Sequence, residues 1–485
     1  MRTSERQTAH GLRLMAYGLW FVVMIGTCAS QELPKRPGEL KTPPLKFTKP
    51  NLEEITLACG LTGFLMEDHE IAVVNIQLRL PCTFAPKEKT GLNELAGWAL
   101  RNGGSTNVPA DSLNAELEFR SASVETWAGD DWIAININCL TKDLDRCLEL
   151  ATDLIQHPAF PEAKIALKKK TSAEDVRRKN DEPRAVANRE FRRVLFGDHP
   201  VTWEPTLKSI EGLTRDDVVR FFQTYAVPKG GLIGVSGDIH GDEILKKLDA
   251  VFSSWSGGPA AIPPFPPMPE RGTASVNEVK KDINQAYITI GHPGLKEQNP
   301  DRPVVTLMNY VLGGGSFKSW IVEKIRVEQG LAYSAGSSYG ASPRGVGTFA
   351  ASCQTKAEAM SRSINTIVDL IKKMQREGPS AEELERARQA LLNRYVFSYE
   401  SPAAIVDRAL YLKFFGLPLD ETERDLKVYE TATREQVREA ARKYLHPDQL
   451  AMVVVGDPSK FDKPLSSWGK VKEISLEQEA GAKGR

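Results

Sequence analysis

Two periods of apolar positions alternate along the chain. Residues 71–80 (IAVVNIQLRL), 131–140 (DWIAININCL), 231–238 (GLIGVSGD) and 449–457 (QLAMVVVGD) are β-rich runs bounded by turn formers, the signature of strands. Between them the period changes to that of a helix, over residues 144–156 and 381–395. Ser380 precedes the second of these helices and Glu383 follows three positions later, which predicts a capping box. Strands come in groups and helices in groups, without strict alternation. The fold class expected is therefore α+β, with helices packed on one face of a mostly antiparallel sheet.

The pattern is written twice. LTRDDVVRFFQTYAVPKGGLIGVSGD (213–238) and ATREQVREAARKYLHPDQLAMVVVGD (432–457) align at a constant offset of 219 residues. Thr214 then meets Thr433, Arg215 meets Arg434, Tyr225 meets Tyr444, and Gly237–Asp238 meet Gly456–Asp457. The same offset pairs Pro183 with Pro402 and Arg189 with Arg408. Two duplicated domains of about 200 residues are implied, within the usual size range. They span 51–255 and 276–465. Residues 256–275 hold six prolines and three glycines and read as a linker, because proline lacks a donor and fixes the backbone. Residues 31–50 are likewise proline-rich, and 466–485 form a charged tail.

Composition narrows the function by exclusion. Lys and Arg number 63 and Asp and Glu 63, so nothing favours a nucleic-acid partner, which calls for a basic patch. Arg2, Arg6 and Arg13 precede an apolar run, Leu14 to Ala29, and small residues Cys28, Ala29 and Ser30. That is an export signal over residues 1–30. It predicts a periplasmic protein, with tethering through the N-terminus, by an uncleaved anchor or by Cys28, as the variant. Five cysteines remain beyond it, scattered and without a CxxC pair, and read as buried thiols acting as small hydrophobes.

Chemistry is sparse. None of the seven histidines lies within a helical turn of another, so no pair at i, i+4 is available for a catalytic zinc. Each reads as structural or exposed. GxSxG is absent, which removes the serine-hydrolase elbow. The glycines at 313–315 lack the Gly-Lys-Ser/Thr of a phosphate loop. They lead instead into a helix expected from Phe317 onward, with Ile321, Val322, Ile325 and Val327 on its buried side. Arg326 sits in its last turn, opposite the negative end of the helix dipole, Gly330 ends it, and LAYSAGSSY follows as a strand.

The stretch LGGGSFKSWIVEKIRVEQGLAYS (312–334) resembles the C-terminal-domain motif of the pitrilysin/insulinase family of inverzincin metallopeptidases. GFLMEDHEIAVVNIQL (63–78) is similar to that family's first hairpin. HPAFPEAKIALKKK (157–170) resembles the approach to its long central helix, and DEPRAVANREFRRVLFGDHP (181–200) the segment after it. The likeness covers roughly residues 45–465. Active members carry HxxEH, two zinc-binding histidines around a glutamate base, on a helix. The corresponding helix here is KTGLNELAGWALRNGG (89–104), with Leu92, Leu95, Ala96, Ala99 and Leu100 on its apolar face. Glu94, Gly97 and Trp98 stand in the three motif positions. Glu174 or Asp175 falls near the expected third ligand, and one carboxylate without the imidazoles does not hold zinc.

The resemblance implies roles for the opening motif. An arginine and a tyrosine seven residues apart reach the zinc site in this family, and Arg326 and Tyr333 keep that spacing. Gly313, Gly314, Gly315 and Ser316 resemble the glycine-rich, substrate-handling loop of the non-catalytic subunit of mitochondrial processing peptidase. Trp320 departs from the arginine usual there. Some members divide the work between two chains. The expectation is thus a non-catalytic, substrate-binding subunit of a heterodimeric zinc peptidase. It would bind no cofactor itself, with zinc in a partner bearing HxxEH and with peptides as substrates. Alternatives are a catalytically dead scaffold or peptide-binding protein of the same fold, and a stand-alone peptidase holding its own zinc.

Overall fold

The computed structural model describes residues 51–315, 317–395 and 399–476. The expected export segment, the proline-rich lead-in, Ser316 and the end of the tail lie outside the described residues.

The first half contributes β1 (Glu53–Thr56), β2 (Thr62–Glu67), β3 (Val73–Pro81), α1 (Leu92–Gly103), α2 (Ala110–Phe119), β4 (Ser123–Ala128) and β5 (Trp132–Leu140). Five helices follow: α3 (Leu144–Gln156), α4 (Glu162–Arg178), α5 (Pro183–Phe196), α6 (Leu207–Gly212) and α7 (Arg215–Tyr225). Then come β6 (Leu232–Gly237) and α8 (Gly241–Val251). Residues 256–274 form neither helix nor strand.

The second half repeats the plan. It runs β7 (Ser275–Lys280), β8 (Gln285–Pro293), β9 (Leu295–Lys296), α9 (Arg302–Asn309), β10 (Ala332–Tyr339), β11 (Ala341–Ser342) and β12 (Thr348–Lys356). After these come α10 (Met360–Glu377), α11 (Ala381–Tyr395), α12 (Pro402–Phe414), α13 (Glu421–Thr431), α14 (Arg434–Tyr444), β13 (Ala451–Gly456) and β14 (Val471–Glu473). The capping box holds: the Ser380 amide donates to Glu383 at 2.7 Å and the Glu383 amide donates back to Ser380 Oγ at 3.2 Å.

The two six-stranded sheets have orders β1-β2-β6-β3-β5-β4 and β10-β12-β8-β13-β7-β14. Read backward, the second repeats the first from β2 to β4 strand for strand; the remaining edge differs, with β1 antiparallel to β2 and β14 parallel to β7. Even the one parallel pair inside the first sheet, β2 with β6, returns in the second as β7 with β13. The sheets are mixed, and antiparallel pairs predominate. One face of each packs on the helices of its own half, in two large apolar cores.

The other face carries a helix that the sequence expectation left out. Val186, Phe191 and Leu195 of α5, in the first half, pack on Val279, Val453 and Val455 of the second sheet. Reciprocally, Ile405, Val406 and Leu410 of α12 pack on Phe64, Met66 and Leu232 of the first sheet. Expecting helices on one face only was incomplete, because the second face of each sheet is apolar too and the partner half supplies its cover. Ion pairs join the halves beside these cores, with Arg79 to Asp407 at 2.7 Å and Arg344 to Asp131 at 2.8 Å. Trp132 meets Phe414 edge-on at 4.8 Å.

The helix expected from Phe317 needs two corrections. Its body, Val322–Glu328, is wound as a π-helical turn. Val327, expected inside, is 58% exposed, because even at the ordinary 3.6 residues per turn it falls on the side opposite Ile321, Val322 and Ile325.

Candidate functional site

The helix α1 forms where sequence periodicity puts it. Leu92, Leu95, Ala96, Ala99 and Leu100 are all buried, and left-handed glycines, Gly91 and Gly104, flank its ends. The three motif positions sit on its other sides. Glu94 points outward and accepts a hydrogen bond from Lys168 of α4 at 2.6 Å. Gly97 lies directly under the edge strand β4. A Cβ there would fall inside the contact radius of the Ala128 amide and 2.6 Å from the Trp127 carbonyl carbon. Thr126 Oγ1 closes the contact by donating to the Gly97 carbonyl at 2.6 Å. Trp98 is half-buried against the core of the first half.

This arrangement does not fit a catalytic zinc. Two positions carry no donor atom for the metal, the third is engaged by a lysine, and the place of the general base has no room for any side chain. Of the distal carboxylates, Glu174 is paired with Arg177 at 2.6 Å. Asp175 lines a cavity of about 350 Å³ together with Glu94, Arg189 and Glu204. The sequence expectation put Glu174 or Asp175 near the third ligand position, and Asp175 shares this cavity with Glu94. What it could not supply was Lys168, although a lysine-rich run in the facing helix was visible.

In the second half the glycines serve close packing. A Cβ on Gly313 would lie 2.7 Å from the Ser337 amide, and one on Gly315 would lie 2.6 Å from the Tyr310 carbonyl. Side-chain bonds lock the loop to β10, since Ser337 Oγ donates to Asn309 Oδ1 at 2.7 Å. Gly313 and Gly314 thereby form one wall of a groove of about 460 Å³ along β10, the edge strand of its sheet. The opposite wall includes Arg184 of the exchanged helix α5. Its guanidinium donates to Ser334 Oγ at 2.6 Å and Gln354 Oε1 at 3.0 Å. Ser316 lies outside the described residues.

Arg326 and Tyr333 come together at the start of β10, where the next residue, Ser334, lines this groove. The Arg326 guanidinium lies 5.9 Å from the Tyr333 ring centre and 4.7 Å from that of Phe317. Both separations are within cation–π range. All three residues face solvent, with Tyr333 78% and Phe317 59% exposed. The cause for Tyr333 is local: pairing of β10 with β12 slips between Ala332 and Ser334, leaving Tyr333 as the extra residue of a bulge, a device that re-aims a side chain. Sequence reasoning missed Phe317, though an aromatic so close behind three glycines was the available signal. Trp320 is buried instead, donating to Glu383 at 2.7 Å with the Lys373 ammonium 4.4 Å above its ring. Glu94, Gly97 and Trp98 lie with α4 and β4 of the other half.

Known proteins resemble the chain in sequence and in fold. A family model described as "Peptidase M16 inactive domain" matches residues 212–391, which include the glycine loop, Arg326 and Tyr333. The Helicobacter pylori "Non-peptidase homolog YmxG" is 23% identical over 391 residues, 80% of this chain and 89% of its own. The Bacillus subtilis "Uncharacterized zinc protease YmxG" is also 23% identical, over 63% of this chain and 74% of its own. Among solved structures, a peptidase M16 inactive domain from Pseudomonas fluorescens superposes with a TM-score of 0.77 at 23% identity, covering 85% of this chain and 99% of that one. The periplasmic protease PqqL of Escherichia coli gives 0.73 at 15% identity, over 85% of this chain and 46% of that one. With the duplicated fold and the altered helix α1 in place, the chain is similar to the peptidase M16 (pitrilysin/insulinase) family, and it lacks HxxEH.

Proposed function

We propose that the chain is the non-catalytic, substrate-binding subunit of a heterodimeric zinc metallopeptidase, exported to the periplasm, that supplies Arg326 and Tyr333 to a partner's active site. One contrast carries this reading. The metal helix is closed by packing and an ion pair, while the arginine and tyrosine stand outward on a bulge, already stacked together.

A phenol and a guanidinium in that position suit the stabilisation of negative charge. The Tyr333 hydroxyl would donate to a scissile carbonyl oxygen as charge develops on it, an interaction whose removal typically costs about 2.7–4 kcal/mol. Arg326 would hold a substrate carbonyl and fix register, with Phe317 and Tyr333 limiting its rotamers. The partner would hold the zinc, and the groove along β10 would guide the peptide toward it.

The test is reconstitution. Alone, the purified chain should show no chelator-sensitive proteolysis. Mixed with an HxxEH-bearing subunit from the same source, it should restore cleavage of short peptides. Chelator-sensitive cleavage by the chain alone would overturn the proposal. Failure of any HxxEH subunit to copurify or to be activated would favour a scaffold instead.

A further inference from the structure

On the first half, three metal-binding side chains converge from distant parts of the sequence. Glu67 ends β2, His69 lies in the turn after it, and His240 follows β6 at the mouth of α8. Parallel pairing of β2 with β6, which sets Glu67 beside Gly237, brings them together. One ligand atom from each lies within 4.8 Å of the others, and the two imidazole rings are 5.1 Å apart.

We infer that Glu67, His69 and His240 form a binding site for a divalent transition ion of the zinc class. Two imidazoles and a carboxylate are the donor set such an ion prefers. A tetrahedral ion with bonds of about 2.0–2.2 Å holds its ligand atoms about 3.3–3.6 Å apart. Nε2 of His69 and Oε2 of Glu67 are already 3.8 Å apart. Since His240 is exposed, rotation of its side chain closes the remaining gap, and the fourth position faces solvent.

The surroundings are built as a metal site's outer shell is built. Nδ1 of His69 hydrogen-bonds Asp238 at 2.8 Å, which fixes the ring and leaves Nε2 free for the ion, the carboxylate–histidine arrangement that supports metal ligands. Asp238 is itself held by Thr141 Oγ1, which donates at 2.9 Å. Glu67 is oriented by the backbone amide of Gly241, which donates to Oε1 at 2.6 Å and leaves Oε2 available. The site shares no residue with the peptidase helix. It departs from the sequence expectation that this chain binds no metal of its own. Its role is to pin the turn after β2 to the start of α8, and it stands independently of the peptidase proposal.

The experiment uses the full chain, purified without a histidine tag, stripped with a chelator and dialysed against micromolar zinc chloride. Metal analysis should find one zinc per chain, and zinc should raise the melting temperature. His240→Ala and His69→Gln should each lower affinity at least tenfold, with far-ultraviolet circular dichroism unchanged. Glu94→Gln should leave binding intact. No retained zinc, or retention that survives the paired His69→Gln/His240→Ala variant, would overturn the inference. Because His240 lies outside the proposed peptidase machinery, partner-dependent cleavage should be the same in His240→Ala, so the two proposals fail separately.

Discussion

The two halves share a strand order yet treat their first long helix in opposite ways. In the first half α1 is pressed against β4, at the cost of a side chain at position 97. In the second half α9 breaks into a π turn, Tyr310–Gly314, whose glycines open a groove beside the matching edge strand. The same scaffold thus closes one helix by packing a strand onto it and opens a groove beside the other by loosening its winding. Absent ligands describe only part of the change, because the place of the general base has no room for a side chain either.

The severest way to break this comparison is to rebuild the metal motif. Glu94→His, Gly97→Glu and Trp98→His together should yield no zinc peptidase. The glutamate must displace the β4 backbone, so about 4 kcal/mol or more of stability should be lost, the range of the worst core substitutions, as read by denaturant titration. If that variant folds normally and hydrolyses peptides, the packing argument for α1 is wrong.

The second half should respond in activity instead. Tyr333→Phe should lower turnover of the reconstituted peptidase by about 10²-fold or more, with the melting temperature unchanged. Equal turnover would reduce Tyr333 to surface decoration.

Acid should also distinguish the halves. His292, on β8, is fully buried, and burial pushes its imidazole down to about 4. Its Nδ1 donates to the Pro293 carbonyl at 2.8 Å and its Nε2 accepts from the His446 amide at 3.2 Å, so the neutral ring is the one that fits. The folded state therefore refuses a proton that the unfolded chain takes up near pH 6.5. Stability should fall as pH drops from about 6.5 to about 4, by about 3 kcal/mol in all, and level off below. Burial lowers His446 in the same direction. Melting temperatures recorded across that range check the sign. A flat profile would mean that the ring is solvated.

The smallest effect sharpens the picture of the exposed pair. Phe317→Ala should weaken substrate binding by about 0.5–1 kcal/mol, the worth of an exposed cation–π contact, seen in KM and not in kcat.

Much of this was legible in the sequence. The strands at 71–80 and 131–140 and the apolar face of α1 follow from periodicity alone, and the repeat offset predicted matching elements. The exchange of α5 and α12 was not legible. Val186, Phe191 and Leu195 define an apolar stripe, but a stripe does not say which sheet it covers. Tyr333 owes its outward aim to a slipped register, which depends on β12 and not on its own neighbours. His69 and His240 are far apart in the chain and meet only because a parallel strand pair closes the distance. Val327 was misplaced because its apolar character was read without its angle: six residues beyond Ile321, it lies on the far side of the helix.

The swapped helices also bear on what holds the molecule in one piece. A protease cutting within residues 256–274 would sever the backbone between the halves, yet each fragment would still have its α5 or α12 clasped to the other's strands. The cut chain should therefore migrate as an intact particle until denaturant is added, its linker dispensable once folding is done.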